Sequence, residues 1–214
     1  MTISRRNLVI GVGAAAIGVR ATDAAELLPP TPQETFGPYF PVHRPRYHDF
    51  DLTRIPGHRG RALGQIIELS GRVLNVDGSP VKGAALEIWQ ANAAGRYANP
   101  IDKNPAPLDP NFLGVALLRT TAQGRYSILT VKPGGYPDPA GGMRTPHIHF
   151  DVTSDDYRLV TQMYFPGETL NDKDILMSTM PARHRDPALT ICKSVESHEA
   201  GVFKFEWDIV LLHA

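Results

Sequence analysis

The chain has 214 residues, enough for one compact domain with a real core, and its 22 basic and 22 acidic residues cancel, which disfavours a nucleic-acid reader held by a basic face. Its single cysteine, Cys192, excludes an intramolecular disulfide and a cysteine-rich zinc or iron–sulfur site.

The first element is a leader. Arg5 and Arg6 precede a short apolar run over 9–19 that is too brief to span a bilayer, and Val19-Arg20-Ala21 follows as a cleavage pattern. Residues 1–21 therefore read as a secretion signal, and the paired arginines resemble a twin-arginine signal, which implies export to the periplasm. Cleavage there leaves 19 basic and 22 acidic residues, a mildly acidic mature chain. Residues 22–63 are Pro-rich and irregular, with Pro29, Pro30, Pro32, Pro38, Pro41, Pro45 and Pro56 blocking long helices and central strands. This segment is expected to wrap over a core built elsewhere.

From 64 to 214 the pattern is that of strands. Runs with β character cover 66–76, 84–90, 114–121, 125–131, 147–153, 159–165, 189–195 and 202–212. Turn chemistry separates them, as at Asp77-Gly78-Ser79-Pro80, and the 19 Gly and 19 Pro supply many such turns. Alternation is clearest in Phe203-Lys204-Phe205-Glu206-Trp207-Asp208-Ile209, where one face is apolar and the other charged. No segment holds a helical period over about twelve residues. The fold expected is all-β, an antiparallel sandwich of about eight strands with long irregular loops and the wrapped N-terminal segment.

Chemistry concentrates late in this pattern. In Pro146-His147-Ile148-His149-Phe150, two imidazoles two residues apart on a strand project from one face and can reach one metal ion. The same spacing also fits two hydrogen-bonded histidines, or a zinc or copper site using these two alone. A Gly/Pro-rich loop over 132–145, long enough to need a reason, runs into this strand. It contains Gly134-Gly135-Tyr136-Pro137, and Trp89-Gln90-Ala91-Asn92 leads to a second loop tyrosine at Gly95-Arg96-Tyr97. A tyrosine taken alone is a packing residue with its hydroxyl bonded.

Taken together these segments are more specific. Gly95-Arg96-Tyr97, Gly134-Gly135-Tyr136-Pro137 and Arg144-Thr145-Pro146-His147-Ile148-His149-Phe150 closely resemble the intradiol ring-cleavage dioxygenases, especially the protocatechuate 3,4-dioxygenase branch. Trp89 to Asn92, Thr161-Gln162-Met163-Tyr164-Phe165, the stretch 107–112 and Thr35-Phe36-Gly37-Pro38-Tyr39-Phe40 match the same family, so the likeness runs from about 32 to 211. The resemblance implies that Tyr97, Tyr136, His147 and His149 bind a mononuclear non-haem Fe(III). Phenolates are hard anionic donors suited to ferric iron, and two of them with a hydroxide neutralise the ion in a buried site. A catecholate dianion could then replace hydroxide and one tyrosinate at constant charge. By the same likeness Tyr136 is the ligand that leaves and serves as base, Arg144 stabilises charge on the ring, and Gln162 hydrogen-bonds a ligand or Arg144. Thr35, Gly37, Pro38 and Tyr39 would line the substrate pocket. The reaction implied is insertion of both atoms of O2 between the two hydroxylated carbons of a catechol, giving a cis,cis-muconate-type product.

The chain departs from that branch at Asp138, where a bulky aromatic would be typical, and an acid there should repel a substrate carboxylate unless a cation offsets it. It also carries both the Gly-Pro-Tyr segment and the full ligand set, which fits a homo-oligomer or pairing with a second homologous subunit. No nucleic-acid partner and no membrane span are expected. The competing reading is an exported transthyretin-like sandwich that binds an aromatic or a metal without turnover. Cys192 reads as a small core residue, and His43, His48, His58, His184 and His198 carry no assigned role.

Overall fold

The computed structural model describes residues 27–42, 44, 50–181 and 190–212. The leader over 1–21, together with His43, His48 and His184, lies outside the described residues.

Two sheets face each other. The first is built on β1 (Ile66–Asn75), which pairs along one edge with β4 (Arg125–Val131). Its other edge takes β10 (Val202–Glu206) and then β11 (Ile209–Leu211), and β9 (Lys193–Val195) adds to β10. The second sheet runs in the order β3 (Val115–Arg119), β2 (Ala85–Trp89), β7 (His147–Thr153), β8 (Arg158–Tyr164). A two-residue ribbon, β5 (Tyr136–Pro137) with β6 (Met143–Arg144), stands apart from both. The helical elements with described bounds are a 3-10 turn at Asn171–Lys173 and α1 (Ile175–Thr179), which the sequence pattern did not signal. No helix among the described residues is long and apolar enough to cross a membrane.

The sandwich expectation holds, with one correction to strand direction. The second sheet is antiparallel throughout, but β1 runs parallel to both β10 and β11, so the first sheet is mixed. Side-chain alternation has the same period in either direction, so the pattern could not show this. The run expected over 202–212 is also broken in two. The Trp207 N–H donates to Ser70 O at 2.9 Å, and the Asp208 carboxylate accepts the Arg72 backbone N–H at 2.8 Å, which takes two residues off the ladder between β10 and β11.

Alternation sorts each strand between two environments. Ile67, Leu69 and Val73 of β1 meet Leu86 and Ile88 of β2 and Ile148, Phe150 and Val152 of β7 in one buried cluster between the sheets. Phe150 anchors it, with Tyr126 and Trp207 edge-on at centroid distances of 5.9 and 5.1 Å. The intervening residues of β7, His147, His149 and Asp151, therefore point to the outer face of the second sheet. An antiparallel sheet commonly leaves such a face to water. Here it is covered by the arm over 31–42, the loop between β2 and β3, and the β5–β6 ribbon, and all three polar residues are buried. Phe150→Ala should lower the unfolding free energy by about 3–5 kcal/mol in urea titration, since it empties the centre of the core.

Candidate functional site

The register across the outer face sets the first rows of the site. Trp89, His149 and Gln162 lie opposite one another on β2, β7 and β8, and His147 lies opposite Tyr164. Trp89 stacks on His149 at 4.7 Å between centroids with the planes 7° apart, which fixes that ring from one side. His147 is fixed by its own chain: Nδ1 donates to Thr145 O at 2.7 Å, leaving the Nε2 lone pair to point inward.

The two tyrosines arrive on loops. Asp102 accepts the Tyr97 N–H at 2.8 Å, and Asn92 Oδ1 accepts the N–H groups of Ala94 and Arg96, so the loop before Tyr97 is a set of side-chain-capped turns. That loop touches the one carrying Tyr136 where Gly95 meets Gly135. A Cβ on Gly95 would lie 2.3 Å from Gly135 O, so only glycine allows this approach. Tyr136 and Arg144 are then paired across the β5–β6 ribbon.

These elements bring the four residues together. Tyr97 Oη lies 3.4 Å, Tyr136 Oη 3.3 Å and His149 Nε2 3.1 Å from His147 Nε2. All four side chains are almost fully buried, at 1–4% exposure. Among the described residues no group of three or more His, Cys, Asp or Glu could hold a metal, so any metal centre here requires the tyrosines.

Arg144 adjoins this cluster and is equally buried. Its Nε donates to Asp174 Oδ2 at 2.9 Å and its Nη2 to Gln162 Oε1 at 2.8 Å. Of the two partners foreseen for Gln162, the structure thus gives it Arg144. Asp174, with no exposure, also accepts the Thr145 N–H and caps α1 through the N–H groups of Leu176 and Met177. Sequence reading missed Asp174, although an Asp ahead of Ile175-Leu176-Met177 is an N-cap signal.

The arm closes the cluster from above. Thr35 Oγ1 accepts the Gly37 N–H at 3.1 Å, and Thr35 O accepts from Gln162 Nε2 at 3.3 Å. Gly37 passes so near His149 that a Cβ would sit 3.3 Å from its Cε1, and its φ of +67° suits glycine. Tyr39 stacks on Tyr97 at 4.8 Å, while Pro38 between them is exposed. Two cations hold the arm down. Arg158, paired with Asp151 at 2.7 Å, lies over Phe36, and Arg44, paired with Glu87 at 2.7 Å, lies over Phe40. A cavity of about 160 Å³ opens beside Tyr39, Trp89 and Tyr97. A cleft of about 320 Å³ at Arg119 and Asp155 is larger but holds none of this chemistry.

Charge states follow from burial. Burial, and then the Tyr136 phenol, pushes the Tyr97 pKa far up, and burial raises Tyr136 to about 12. Burial and the Arg144 charge push His147 down; burial, His147 and Arg144 do the same to His149. Burial opposes the Arg144 charge as well, but Tyr136 and Asp174 outweigh it, so the guanidinium stays ionised. Without a cation the cluster is two neutral phenols and two neutral imidazoles beside one fixed positive charge. Neutral imidazoles are the ligand form. His149 is not fully satisfied by protein partners in either tautomer, since its buried Nδ1 has none, whether as donor or as acceptor, and only Nε2 has a neighbour, the His147 lone pair. A two-oxygen, two-nitrogen set of this kind fits a hard trivalent ion that can displace the phenol protons.

Asp138 sits at the rim, where its Oδ1 accepts the Ala140 N–H at 2.7 Å and its charge raises the pKa of Tyr39 and of Tyr136. Cys192 is buried and its thiol is pushed up to about 12 by burial, as a core residue should be.

Comparison with known proteins agrees with this arrangement. The dioxygenase family matches residues 36–213. The chain is 44% identical over 167 residues to the protocatechuate 3,4-dioxygenase beta chain of Burkholderia cepacia, covering 76% of this chain and 71% of that one. It is 30% identical to the alpha chain of Pseudomonas putida, over 85% and 92% of the two chains. It spans about half the length of a catechol 1,2-dioxygenase of Acinetobacter lwoffii to which it is 34% identical. Among solved structures, the dioxygenase domain of a carbohydrate-binding fusion protein from Streptomyces sp. SirexAA-E superposes with a TM-score of 0.65 at 28% identity, over 86% of this chain and 99% of that one. The chain belongs to the intradiol dioxygenase family of enzymes, and its likeness is to the protocatechuate branch.

Two outcomes test this account of the site. Asp174→Ala should destabilise the protein by about 3–5 kcal/mol in urea, because it leaves Arg144 buried without its counter-charge. For the two histidines the folded pKa lies below the ordinary 6.5, so their contribution to stability is present above that pH and is lost as pH falls through it. Metal-free protein should weaken progressively as pH falls from 6.5 towards about 3, and a His147→Gln, His149→Gln double variant should flatten that slope.

Proposed function

We propose that the protein is a non-haem Fe(III) intradiol dioxygenase acting on a protocatechuate-like catechol, opening the ring between its two hydroxylated carbons with both atoms of O2 to give a cis,cis-muconate-type product. The observation that carries this reading is the convergence of two buried phenols and two neutral imidazoles beside a buried, charged arginine. Tyr97, Tyr136, His147 and His149 would hold the iron. When bound, a ferric ion supplies Lewis acidity, holding the tyrosines as phenolates and drawing electron density from a chelated catechol.

The chain's own residues do the rest. Tyr136 Oη, whose surroundings favour its protonated form, is the atom suited to take the second catechol proton. Arg144, held by Asp174 and Gln162, stabilises negative charge that develops on the ring. Thr35, Gly37, Pro38 and Tyr39 would line the substrate pocket, with Gly37 bringing backbone close to His149 and Tyr39 packed on Tyr97. Asp138 sets the condition on ring substituents: a carboxylate placed beside it would need a cation to offset the acid.

Residues 1–21 would direct export by the twin-arginine route to the periplasm. Relatives named as alpha and beta chains support assembly from several subunits, here as a homo-oligomer or with a second homologous chain.

A visible spectrum of the iron-loaded protein, before and after anaerobic addition of catechol, tests the reading. A broad band that moves to longer wavelength is expected. A protein that stays colourless after loading would favour the non-catalytic binding sandwich instead. Tyr97→Phe should lose band and turnover together, His147→Ala should fail to retain iron, and Arg144→Ala should keep the band while turnover falls by roughly 100-fold.

A further inference from the structure

The hydrogen-bond chain that reaches Arg144 does not end at Gln162. Gln162 Oε1 lies 3.5 Å from the Tyr164 hydroxyl, and that hydroxyl donates to Glu34 Oε2 at 2.7 Å. Glu34 belongs to the irregular arm and is pinned beside β8, since its backbone N–H donates to Val160 O at 2.7 Å. The other carboxyl oxygen, Oε1, is buried without a hydrogen-bond partner. Buried carboxylates are normally bonded on both oxygens, so a half-satisfied one leading to the cation beside the cluster calls for a physical reason.

The reason lies in counting hydrogens. A tyrosine hydroxyl has one. An ionised Glu34 can only accept, so it takes the Tyr164 hydrogen and leaves Gln162 Oε1 to the Arg144 Nη2 donor alone. A protonated Glu34 can itself donate to Tyr164 Oη. The Tyr164 hydrogen is then free to turn toward Gln162 Oε1, whose second lone pair it takes, so that the oxygen is shared with the Arg144 donor.

We propose that Glu34 is a positioning residue for Arg144: through Tyr164 and Gln162, the proton on its carboxyl decides whether Gln162 Oε1 serves the guanidinium alone or is shared. The groups that face Glu34 are Tyr164 from β8, Arg144 from β6 and Asp174 from the turn before α1. Burial raises the carboxyl to about 7, with Tyr164 and Arg144 opposing and Asp174 adding, so both protonation states are populated near neutral pH. The hydrogen-bond relay stands on geometry alone. Only its effect on turnover rests on the dioxygenase reading.

The test uses metal-free protein with 15N-labelled arginine, following the Arg144 guanidinium signals by NMR from pH 5 to pH 9 and assigning them with Arg144→Lys. In the unaltered protein they should shift with a midpoint near 7, and they should be flat in both Glu34→Gln and Tyr164→Phe. Flat signals in the unaltered protein overturn the proposal, and that measurement needs no variant. A shift that persists in Glu34→Gln overturns it as well, because another group would be responsible. In iron-loaded enzyme, Glu34→Gln should have kcat/KM for catechol roughly threefold to tenfold lower at pH 8 and equal to the unaltered enzyme at pH 6, with the visible band unchanged. An inactive, colourless protein whose Arg144 signals still titrate would sink the dioxygenase reading and leave this one standing.

Discussion

The Asp174 carboxylate has no exposure to solvent and accepts four N–H groups: the Arg144 Nε, the Thr145 backbone, and the first free amides of α1 at Leu176 and Met177. That carboxylate is the counter-charge that holds the buried Arg144 inside the protein. The consequences spread along the chain from there. Fixing the Thr145 N–H sets the peptide whose neighbouring carbonyl receives His147 Nδ1, and fixing Arg144 sets the residue paired with Tyr136. The orientation of one imidazole and the placement of one tyrosine thus depend on a residue that touches neither.

A second constraint is the covering of the sheet's outer face. Sheet and core alone would leave His147, His149 and Gln162 facing water. The arm over 31–42 and the two tyrosine loops bury them without regular structure of their own, and such cover must be held by side chains. It is, through Asp102 and Asn92 beneath the Tyr97 loop and through the Arg44–Glu87 and Arg158–Asp151 pairs above the arm. Exposed pairs of this kind add little to global stability. Here they serve to place Phe36 and Phe40 on the sheet, next to Trp89.

Burial then sets the chemistry. It raises both phenols and depresses both imidazoles, so the cluster by itself is neutral and rich in donor atoms. Arg144 supplies a permanent positive charge in a low-dielectric pocket, where it acts more strongly on a developing anion than it would in water. A trivalent ion balanced by phenolates would keep the charge of such a pocket low.

Much of this was legible in the chain itself. Strand periodicity located the edges of β4 and β7 to the residue, and two histidines spaced two apart must share a face of a strand. Local sequence around Tyr97, Tyr136, Arg144 and His147 carried the family likeness. Strand direction was not legible, because a period of two is blind to whether β10 runs with β1 or against it. Nor were the two-residue strands β5 and β6, too short for any period, or α1, whose five residues fall below a helical repeat. Glu34 gave no signal at all: it meets Tyr164 across 130 residues of chain, and only the folded arm decides that a glutamate in a Pro-rich segment becomes a buried acid beside the site. The sequence by itself therefore determined that His147 and His149 share one face of a strand, which follows from local period, whereas Tyr97 and Tyr136 were marked only by their likeness to the family. Their convergence within 3.4 Å, the buried charge of Arg144 and the reach of Glu34 were decided by tertiary structure, because each depends on loops meeting over one sheet face and on the low dielectric they create there.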